Sequence, residues 1–209
     1  MIKTLNVKKI VVATRNVGKI SEIRAILQEF SGTILPVTDI VPDFFVEEDG
    51  KTYRDNAIKK ARAAAELTGS LAIADDSGLE VDALDGAPGV YSARFGGESL
   101  PQAEKNTLLL RQLDGIHTRS ARFRCVIAVV IPNGVPRTTE GICEGIIGDH
   151  PQGTHGFGYD PLFFLPEHGK TMAELSPAVK NSISHRARAL AGLPEILTCM
   201  RKDGLLEVF

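Results

Sequence analysis

The sequence predicts an α/β protein built as one continuous unit, long enough to form two lobes around a cleft. The chain has 209 residues, of which 43% are hydrophobic and 24% are charged, an ordinary globular composition that excludes a disordered chain. Short β-branched runs alternate along it with segments whose apolar residues recur every three to four positions. The sequence contains no internal repeat, low-complexity tract or long linker. At roughly 100–200 residues per domain, the length is compatible with one large domain or two small ones.

The first two predicted elements flank a short polar turn. Residues 9–13 form an apolar, β-branched run, which predicts a strand. After residues 14–19 the apolar positions are spaced as on one face of a helix, and Gly32 marks the expected end of that helix. A strand followed directly by a helix leaves the turn at the positive end of the helix dipole.

A loop and an alanine-rich helix follow. Residues 36–51 read as a loop that becomes acidic toward its end. Thr52 and Asp55 resemble a capping box, with Asp in place of the usual Glu, and so predict the start of a helix. The alanines of this helix give it a thin face suited to close packing on a sheet, and Gly69 is expected to stop it after Leu67.

The middle of the chain predicts two short strands separated by a turn. Residues 71–74 are apolar and residues 79–83 alternate apolar with acidic side chains, while Asp, Ser and Gly at 75–78 are common turn residues. A helix opened by Ser99 and Pro101 is then expected to run to about Leu113. The next strands are predicted over 121–131, 135–147 and 162–165, with an irregular glycine-rich loop over 145–158. The last third is predicted to be mainly helical, with boundaries at Ser184 and Pro194.

Composition excludes several classes of protein. The longest stretch without a charge, between Cys125 and Arg137, falls short of the ~20 apolar residues that a membrane span needs. Three cysteines without a CxxC pair argue against a disulfide framework or a structural zinc site and favour a reducing, cytoplasmic location. A net charge of −2 argues against a general nucleic-acid binder, although a local basic pocket for a small anion remains compatible with it.

The turn between the first strand and helix is the first candidate site. Backbone N–H groups and the helix dipole favour an anion there, and Lys19 would add a positive charge. The sequence is not a Walker A loop, because the first glycine is missing and Ile20 follows the lysine. A plain turn with an exposed lysine is an equally good reading of these residues alone. The candidate anion contacts are Thr14, Arg15, Asn16, Val17, Gly18 and Lys19.

Two adjacent carboxylates, Asp75 and Asp76, form the second candidate. In isolation they favour a solvated turn, where neighbouring charges are tolerated. They also suit a hard cation such as Mg²⁺, which takes one or two carboxylates together with waters and substrate phosphates. Glu47 or Glu48, on the acidic loop, could supply the complementary carboxylate, and a carboxylate beside the metal could take a proton from an attacking water.

The third and fourth candidates lie in the last third of the chain. Glycines on both sides of Phe157 leave its ring uncrowded, so it could stack on a base while Asp160 accepts a ring N–H. A tight loop with the ring in the core is an equal alternative. Lys180, His185 and Arg186 place three potential cations within seven residues; they suit a phosphate or a base carbonyl, or simply a solvated helix end. Lys60 is a weaker candidate of the same kind.

The order of the motifs is more specific than any of them alone, and it strongly resembles the Ham1/RdgB family of non-canonical purine nucleoside triphosphate pyrophosphatases. The resemblance extends from Val11 to about Leu190. The motifs that carry it are T-x-N-V-G-K, an acidic loop, D-N-A-I-x-K-A-R, I-A-D-D-S-G-L-x-V-D, G-A-P-G-V-Y-S-A-R-F, G-F-G-Y-D-P-L-F and S-x-S-H-R.

The resemblance implies a fold and a reaction. The fold is an elongated mixed sheet with flanking helices and two lobes around a central active-site cleft, as one domain over residues 1–209 that is usually a homodimer. The reaction is Mg²⁺-dependent hydrolysis of ITP, dITP or XTP to the monophosphate and pyrophosphate. The implied roles are triphosphate contacts at Thr14, Asn16 and Lys19, general base and metal neighbour at Asp76, second metal ligand at Glu47 with Glu48 close behind, a substrate contact at Ser77, a nucleoside loop at Phe157, Gly158, Tyr159 and Asp160, and base or substrate contacts at Lys180, His185 and Arg186.

Two departures from the family pattern and two alternative functions stay open. Arg15 stands where a small residue is common, and it could add a phosphate contact or point to solvent. His155 stands where glycine is usual, and it could alter the mobility of its loop. A Maf-like pyrophosphatase would share the reaction but prefer other modified nucleotides. A non-catalytic nucleotide-binding module would bind ITP without releasing pyrophosphate. Neither a membrane nor a nucleic acid is expected as a partner.

Overall fold

The computed structural model describes residues 8–206. Strands and helices alternate over most of this range, as an α/β fold requires. The strands are β1 (Lys9–Val12), β2 (Thr33–Pro36), β3 (Ala72–Val81), β4 (Ser120–Val130), β5 (Arg137–Ile147), β6 (Phe163–Leu165) and β7 (Lys170–Thr171). The helices are α1 (Val17–Ile26), α2 (Tyr53–Thr68), α3 (Gln102–Gln112), α4 (Pro177–Ile183), α5 (His185–Leu190) and α6 (Leu193–Lys202).

The strands form a mixed sheet in the order β2-β1-β3-β4-β5-β6-β7. β1 pairs in parallel with both β2 and β3, whereas β6 pairs antiparallel with β5 and β7. The predicted α/β fold with a mixed sheet and flanking helices is therefore confirmed. Within residues 8–206, no helix has both the length and the apolar character needed to cross a bilayer.

The described chain divides into two compact units. Unit 1 contains the chain up to Asp76, Cys125–Gly141 and the chain from Arg186 onward; unit 2 contains Ser77–Arg124 and Ile142–His185. The expectation of a single domain over residues 1–209, with a cleft, stays a prediction, and residues 1–7 and 207–209 lie outside the described part.

Each unit has its own apolar core. In unit 1, side chains from β1, α1, β3, β4 and α6 pack together, among them Ile10, Ile23, Ile73, Ile127 and Leu197. The alanine face of α2 is fully buried and the helix packs against β1, as its composition predicts. In unit 2, the core gathers side chains from β3, α3, β4, β5 and β6, including Leu79, Leu109, Phe123, Ile147 and Phe163.

The predicted turn at residues 75–78 is wrong, because β3 runs without interruption from Ala72 to Val81. Successive side chains of a strand point to opposite faces, so Asp75 and Asp76 do not face each other. Both are buried, and each has its own basic partners. Turn-forming composition is overridden here by ion pairs with residues distant in the sequence.

Other boundaries also differ from the predictions. Helix α1 ends at Ile26, earlier than the expected stop near Gly32, and β2 occupies residues that carried no strand signal. Pro101 is the N-cap of α3 rather than its first helical residue. The Thr52 cap is confirmed, because its Oγ1 accepts from the Asp55 N–H at 3.1 Å, and Gly69 ends α2 with a left-handed φ of 61°.

Candidate functional site

The turn between β1 and α1 is shaped by its own polar side chains. The Asn16 Oδ1 caps α1 by accepting the Lys19 N–H at 3.0 Å, and the Thr14 Oγ1 accepts the Asn16 N–H at 3.2 Å. Arg15, Asn16 and Val17 are exposed. The predicted strand-turn-helix is confirmed, and the start of a ten-residue helix faces solvent where an anion would be stabilised by the dipole.

Asp75 is the centre of a buried chain of charges in unit 1. Its Oδ2 lies 2.9 Å from the Lys19 Nζ and 2.9 Å from the Arg186 Nη2, and it also accepts from the Arg186 Nε at 3.3 Å. The Arg186 Nη1 pairs in turn with Glu22 on α1. Acidic and basic groups therefore alternate from Glu22 through Arg186 and Asp75 to Lys19, and Lys19 has the most exposed side chain of the four, at 16%.

This chain of charges explains how Asp75 stays ionised in the core. Burial by itself raises the pKa of Asp75, but the charges of Lys19 and Arg186 outweigh burial and hold that pKa below its ordinary value. The Arg186 side chain is only 1% exposed, so the structure shows it between two carboxylates rather than on the surface. Its predicted contact with a substrate stays a prediction.

Asp76 lies among a different set of partners, supplied by α2 and the acidic loop. The Asn56 Nδ2 donates to its Oδ2 at 3.0 Å, and the Lys60 Nζ lies 3.7 Å from its Oδ1. The same Lys60 Nζ lies 2.9 Å from the Glu48 Oε1. Burial raises the pKa of Asp76 above its ordinary value; Glu48 adds to that rise, while Lys60 and the Asn56 hydrogen bond oppose it.

The acidic loop presents Glu48, rather than Glu47, to this group. Glu47 is exposed, whereas Glu48 is half-buried and shares the Lys60 ammonium with Asp76. Asn56 also fixes the loop, because its Oδ1 accepts the Gly50 N–H at 2.8 Å. A Cβ on Gly50 would lie 2.5 Å from that oxygen, so only glycine lets the loop approach α2 this closely.

The sequence reasoning missed Asn56 and Glu22. Asn56 and Lys60 are four residues apart and so lie on one face of α2, a spacing that identifies them as a polar pair beside the buried alanines. Glu22 follows Lys19 by three residues on α1 and is next to the buried Ile23. A polar side chain beside apolar positions was the available signal in both helices, since buried polar and charged groups require partners.

In unit 2, Asp160 organises the glycine-rich loop. Its Oδ2 accepts the Phe157 N–H at 2.8 Å and pairs with the Lys180 ammonium. The Lys180 Nζ also lies 4.8 Å from the centre of the Phe157 ring, within the range of a cation–π interaction. Gly156 has a φ of 75°, and a Cβ there would lie 2.0 Å from the Asp160 Oδ2, so the loop requires glycine at this position.

Phe157 is half-buried, and the stacking of its ring on a base stays a prediction. Tyr159 is buried instead, and its hydroxyl donates to the Ser92 carbonyl at 2.9 Å. Asn106 of α3 donates to the Gly158 carbonyl at 3.3 Å. Tyr159 and Asn106 therefore tie the glycine-rich loop to the Ser92 backbone and to α3.

His185 ends unit 2 and is also buried, at 5% exposure. Its ring stacks on that of Phe123, with centroids 4.8 Å apart and planes 19° from parallel. Ser77 is half-buried in β3, directly after Asp76. The predicted candidates thus fall into two groups, one around Asp75 and Asp76 in unit 1 and one around Phe157 and His185 in unit 2.

The donor set in unit 1 suits a hard cation. Within residues 8–206, no group of three or more His, Cys, Asp or Glu side chains is arranged to hold a metal ion. Asp76 and Glu48 instead place two carboxylates around one ammonium. Mg²⁺ commonly takes one or two protein carboxylates and completes its shell with waters and phosphate oxygens.

Known proteins are similar to this chain over most of its length. The sequence model of the Ham1 family matches residues 10–196. A dITP/XTP pyrophosphatase of Desulforamulus reducens is 54% identical over 191 residues, covering 90% of this chain and 95% of the relative. A dITP/XTP pyrophosphatase of Geobacter sulfurreducens is 55% identical over 192 residues, covering 90% of this chain and 96% of the relative.

A solved structure matches the fold as well. The Ham1 protein of Staphylococcus aureus superposes with a TM-score of 0.81 at 42% sequence identity, covering 92% of this chain and 99% of that one. The match covers most of both chains, and at 42% identity the two proteins are similar in sequence as well as in fold. The motifs at 14–19, 73–82 and 156–163 all fall within the matched range of the family model.

Proposed function

The chain belongs to the Ham1 family, and from that premise we propose that it hydrolyses non-canonical purine nucleoside triphosphates, ITP, dITP and XTP, to the monophosphate and pyrophosphate. The observation that carries the proposal is the buried pair Asp75 and Asp76. One carboxylate is held ionised among cations, and the other has a raised pKa beside Glu48 and Lys60. Such a reaction would remove deaminated purines from the nucleotide pool.

Asp76 acts in this proposal as the general base. It takes a proton from water as the water oxygen bonds to the α-phosphorus, and pyrophosphate leaves with the bridging oxygen. The raised pKa of Asp76 describes the metal-free site, because a bound cation would lower the pKa of a carboxylate that it contacts. Asn56 donates to one oxygen of Asp76 and so orients the carboxylate.

The triphosphate is assigned to the turn at residues 14–19. Lys19 supplies a positive charge at the start of α1, and the helix dipole adds to it. Asp75 fixes the Lys19 ammonium from the buried side, so a phosphate meets a positioned cation rather than a mobile one. Thr14 and Asn16 shape the turn, and Arg15, Val17 and Gly18 complete the proposed contact set.

Mg²⁺ is proposed as the cofactor, with Asp76 and Glu48 as its protein ligands. The family resemblance favours Glu47, but the pairing of Glu48 and Asp76 through Lys60 supports Glu48. When bound, the cation neutralises phosphate charge and polarises the phosphoryl oxygens. Without the cation, the Lys60 ammonium offsets the negative charges of Asp76 and Glu48.

The purine is assigned to the group in unit 2. Phe157 offers a ring for stacking, while Asp160 and Lys180 hold its loop. A donor from His185 would match a 6-oxo group, whereas the 6-amino group of ATP would oppose donor to donor, a mismatch that costs more than a lost apolar contact.

Arg186 lies in unit 1 with its guanidinium on Asp75 and Glu22, so its substrate contact stays a separate proposal. Ser77 stays a proposed substrate contact. A homodimer, a cytoplasmic location and independence from nucleic acid are further proposals.

The direct test is release of pyrophosphate from ITP, XTP, dITP, ATP and GTP, with and without Mg²⁺. We expect Mg²⁺-dependent release of pyrophosphate from ITP, XTP and dITP and much less from ATP. GTP shares the 6-oxo group with ITP and differs from it by the 2-amino group, so the rate with GTP measures selection at the 2-position. Preference for other modified nucleotides would indicate a Maf-like activity instead. Binding of ITP without pyrophosphate release would indicate a non-catalytic module.

A further inference from the structure

Asn106 is a buried polar residue of α3 that contacts the glycine-rich loop of unit 2. It is 6% exposed, and its Nδ2 donates to the Gly158 carbonyl at 3.3 Å. Gln102 precedes it by four residues on the same face of α3, and the Gln102 Nε2 donates to the Asn106 Oδ1 at 2.9 Å. Gln102 also hydrogen-bonds the Tyr159 hydroxyl. Two amides of one helix therefore contact two consecutive residues of the loop.

The direction of these hydrogen bonds follows from the groups that form them. A carbonyl oxygen can only accept, so the Asn106 amide must turn its NH₂ group to Gly158 and its oxygen to Gln102. The Gln102 amide supplies the donor that this oxygen requires. Since a buried polar atom without a partner costs free energy, the reversed orientation of Asn106 is disfavoured. The pair of amides therefore holds the Gly158 carbonyl toward α3.

Holding this carbonyl also orients the other half of the peptide. The peptide between Gly158 and Tyr159 is trans, so its C=O and N–H point in opposite directions, and the Tyr159 N–H is directed away from Asn106. Apart from its chain neighbours, no described residue comes within 4 Å of the place where a Cβ on Gly158 would lie. The backbone is thus open to the close approach of a ligand directly after Phe157.

We propose that Asn106, oriented by Gln102, is a positioning residue for the purine and acts through the peptide between Gly158 and Tyr159. The proposal rests on the proposed function, in which the base stacks on Phe157. A base on that ring meets this peptide at its edge. Asn106 keeps the peptide in one orientation before the base arrives, so less conformational freedom is lost on binding.

The measurement is competitive inhibition of ITP hydrolysis by inosine and, separately, by inorganic tripolyphosphate. A smaller folded or active fraction lowers the apparent kcat and leaves both inhibition constants unchanged, so a merely structural role does not move them. Asn106→Leu replaces the amide by an apolar group of similar size. It should raise the Ki of inosine about threefold to tenfold, the range expected for one lost hydrogen bond, and leave that of tripolyphosphate within about twofold.

Gln102→Glu tests the direction of the hydrogen bonds. A carboxylate accepts but does not donate, so it would compete with the Gly158 carbonyl for the NH₂ group of Asn106. The Ki of inosine should rise about twofold or more, with that of tripolyphosphate unchanged. An unchanged Ki of inosine would overturn the role of Gln102 in orienting Asn106.

Thr107→Val is the matched control, because Thr107 is the next residue of α3 and its hydroxyl donates within the helix, to the Ala103 carbonyl at 3.0 Å. It should leave both inhibition constants within about twofold of the wild-type values. If Asn106→Leu does not fold, Asn106→Asp takes its place. Its ionised carboxylate keeps the shape of the side chain but offers no donor to Gly158, so the same rise in the Ki of inosine is expected.

The outcomes separate this proposal from the proposed function. An unchanged Ki of inosine in Asn106→Leu, an equal rise in both inhibition constants, or the same rise in Thr107→Val overturns the role of Asn106 while the pyrophosphatase activity stands. Absence of pyrophosphate release from ITP by the wild-type protein rejects the proposed function and this inference together.

Discussion

The two candidate groups differ in the kinds of side chain that form them. In unit 1, the side chains around Asp75 and Asp76 are charged, buried and paired, and their properties are set by electrostatics. In unit 2, the described contacts around Phe157 and His185 include ring contacts, backbone hydrogen bonds and the ion pair between Asp160 and Lys180. Under the proposed function, the charged group of unit 1 would contact the phosphates and the group of unit 2 would contact the base.

A second contrast lies within unit 1, between two neighbouring aspartates. The pKa of Asp75 is held low by Lys19 and Arg186, which outweigh its burial, whereas burial and Glu48 raise the pKa of Asp76. The charge of Asp75 therefore stabilises the folded protein, while that of Asp76 is retained at a cost. Two adjacent residues of one strand therefore have opposite pKa shifts, and the proposed function gives the reactive role to Asp76.

The largest expected effect is on activity in Asp76→Asn. Loss of the general base should lower kcat about 10²- to 10⁴-fold. The free energy of unfolding in metal-free buffer should not fall, because a carboxylate with a raised pKa is unfavourable when charged. Steady-state kinetics and urea denaturation measure the two quantities. The control is Asp82→Asn, which removes an exposed ion pair with Arg122 and should change neither kcat nor the free energy of unfolding. Near wild-type turnover in Asp76→Asn would reject the assignment of Asp76 as the general base.

Unlike Asp76→Asn, Asp75→Asn should lower the free energy of unfolding. Removing this carboxylate leaves the Arg186 guanidinium with less compensation in the core, and loss of one partner of a buried ion pair costs about 3–5 kcal/mol. Urea denaturation should detect the loss. Asp49→Asn is the matched control, because its pair with Lys59 is exposed and should contribute little. Equal stabilities for the two variants would show that the buried chain of charges is not stabilising.

Lys19→Ala should raise the KM for ITP about tenfold or more, the effect expected for a lost charged hydrogen bond, with a smaller change in kcat. Lys59→Ala removes an exposed lysine of α2 and should leave KM unchanged. Initial-rate kinetics at saturating Mg²⁺ separate the two constants. An unchanged KM in Lys19→Ala would remove this lysine from the triphosphate contacts.

The smallest predicted effect is a difference in pH dependence, measured by urea denaturation in metal-free buffer. Asp75 has a folded-state pKa below its unfolded value of about 3.9, so its contribution is complete above that pH and is lost as pH falls below it. Asp75→Asn should therefore flatten the acid limb of the stability curve. Asp76 has a raised folded-state pKa, so any advantage of Asp76→Asn at pH 7 should shrink as pH falls toward 4. Parallel curves for both variants would contradict the opposite shifts.

Local signals predicted much of the fold. The Thr52 cap, the Gly69 stop and the strand-turn-helix at residues 14–19 rest on short-range rules, and all three are confirmed. The turn predicted at 75–78 failed because local composition favoured it, while the ion pairs that stabilise a strand there come from Lys19 and Arg186, far away in the sequence. No sequence pattern near Asp75 indicates that Lys19 and Arg186 are its partners.

The candidate residues were found mainly through the resemblance, and their partners through the structure. Sequence alone left Glu47 and Glu48 unresolved, because neighbouring acids on a loop carry no periodic signal. The contact of Glu48 with Lys60 depends on how Asn56 and Gly50 fix the loop on α2. The stacking of His185 on Phe123 joins residues 62 positions apart and had no local signature.

Competitive inhibition of ITP hydrolysis by two fragments tests the division of tasks most directly. Inorganic tripolyphosphate carries the phosphates without a base, and inosine carries the base without phosphates. Lys19→Ala should raise the Ki of tripolyphosphate about tenfold and leave that of inosine unchanged. Phe157→Ala should raise the Ki of inosine about fivefold or more and leave that of tripolyphosphate unchanged. If each variant weakened both inhibitors alike, the division between the charged group and the aromatic group would be contradicted.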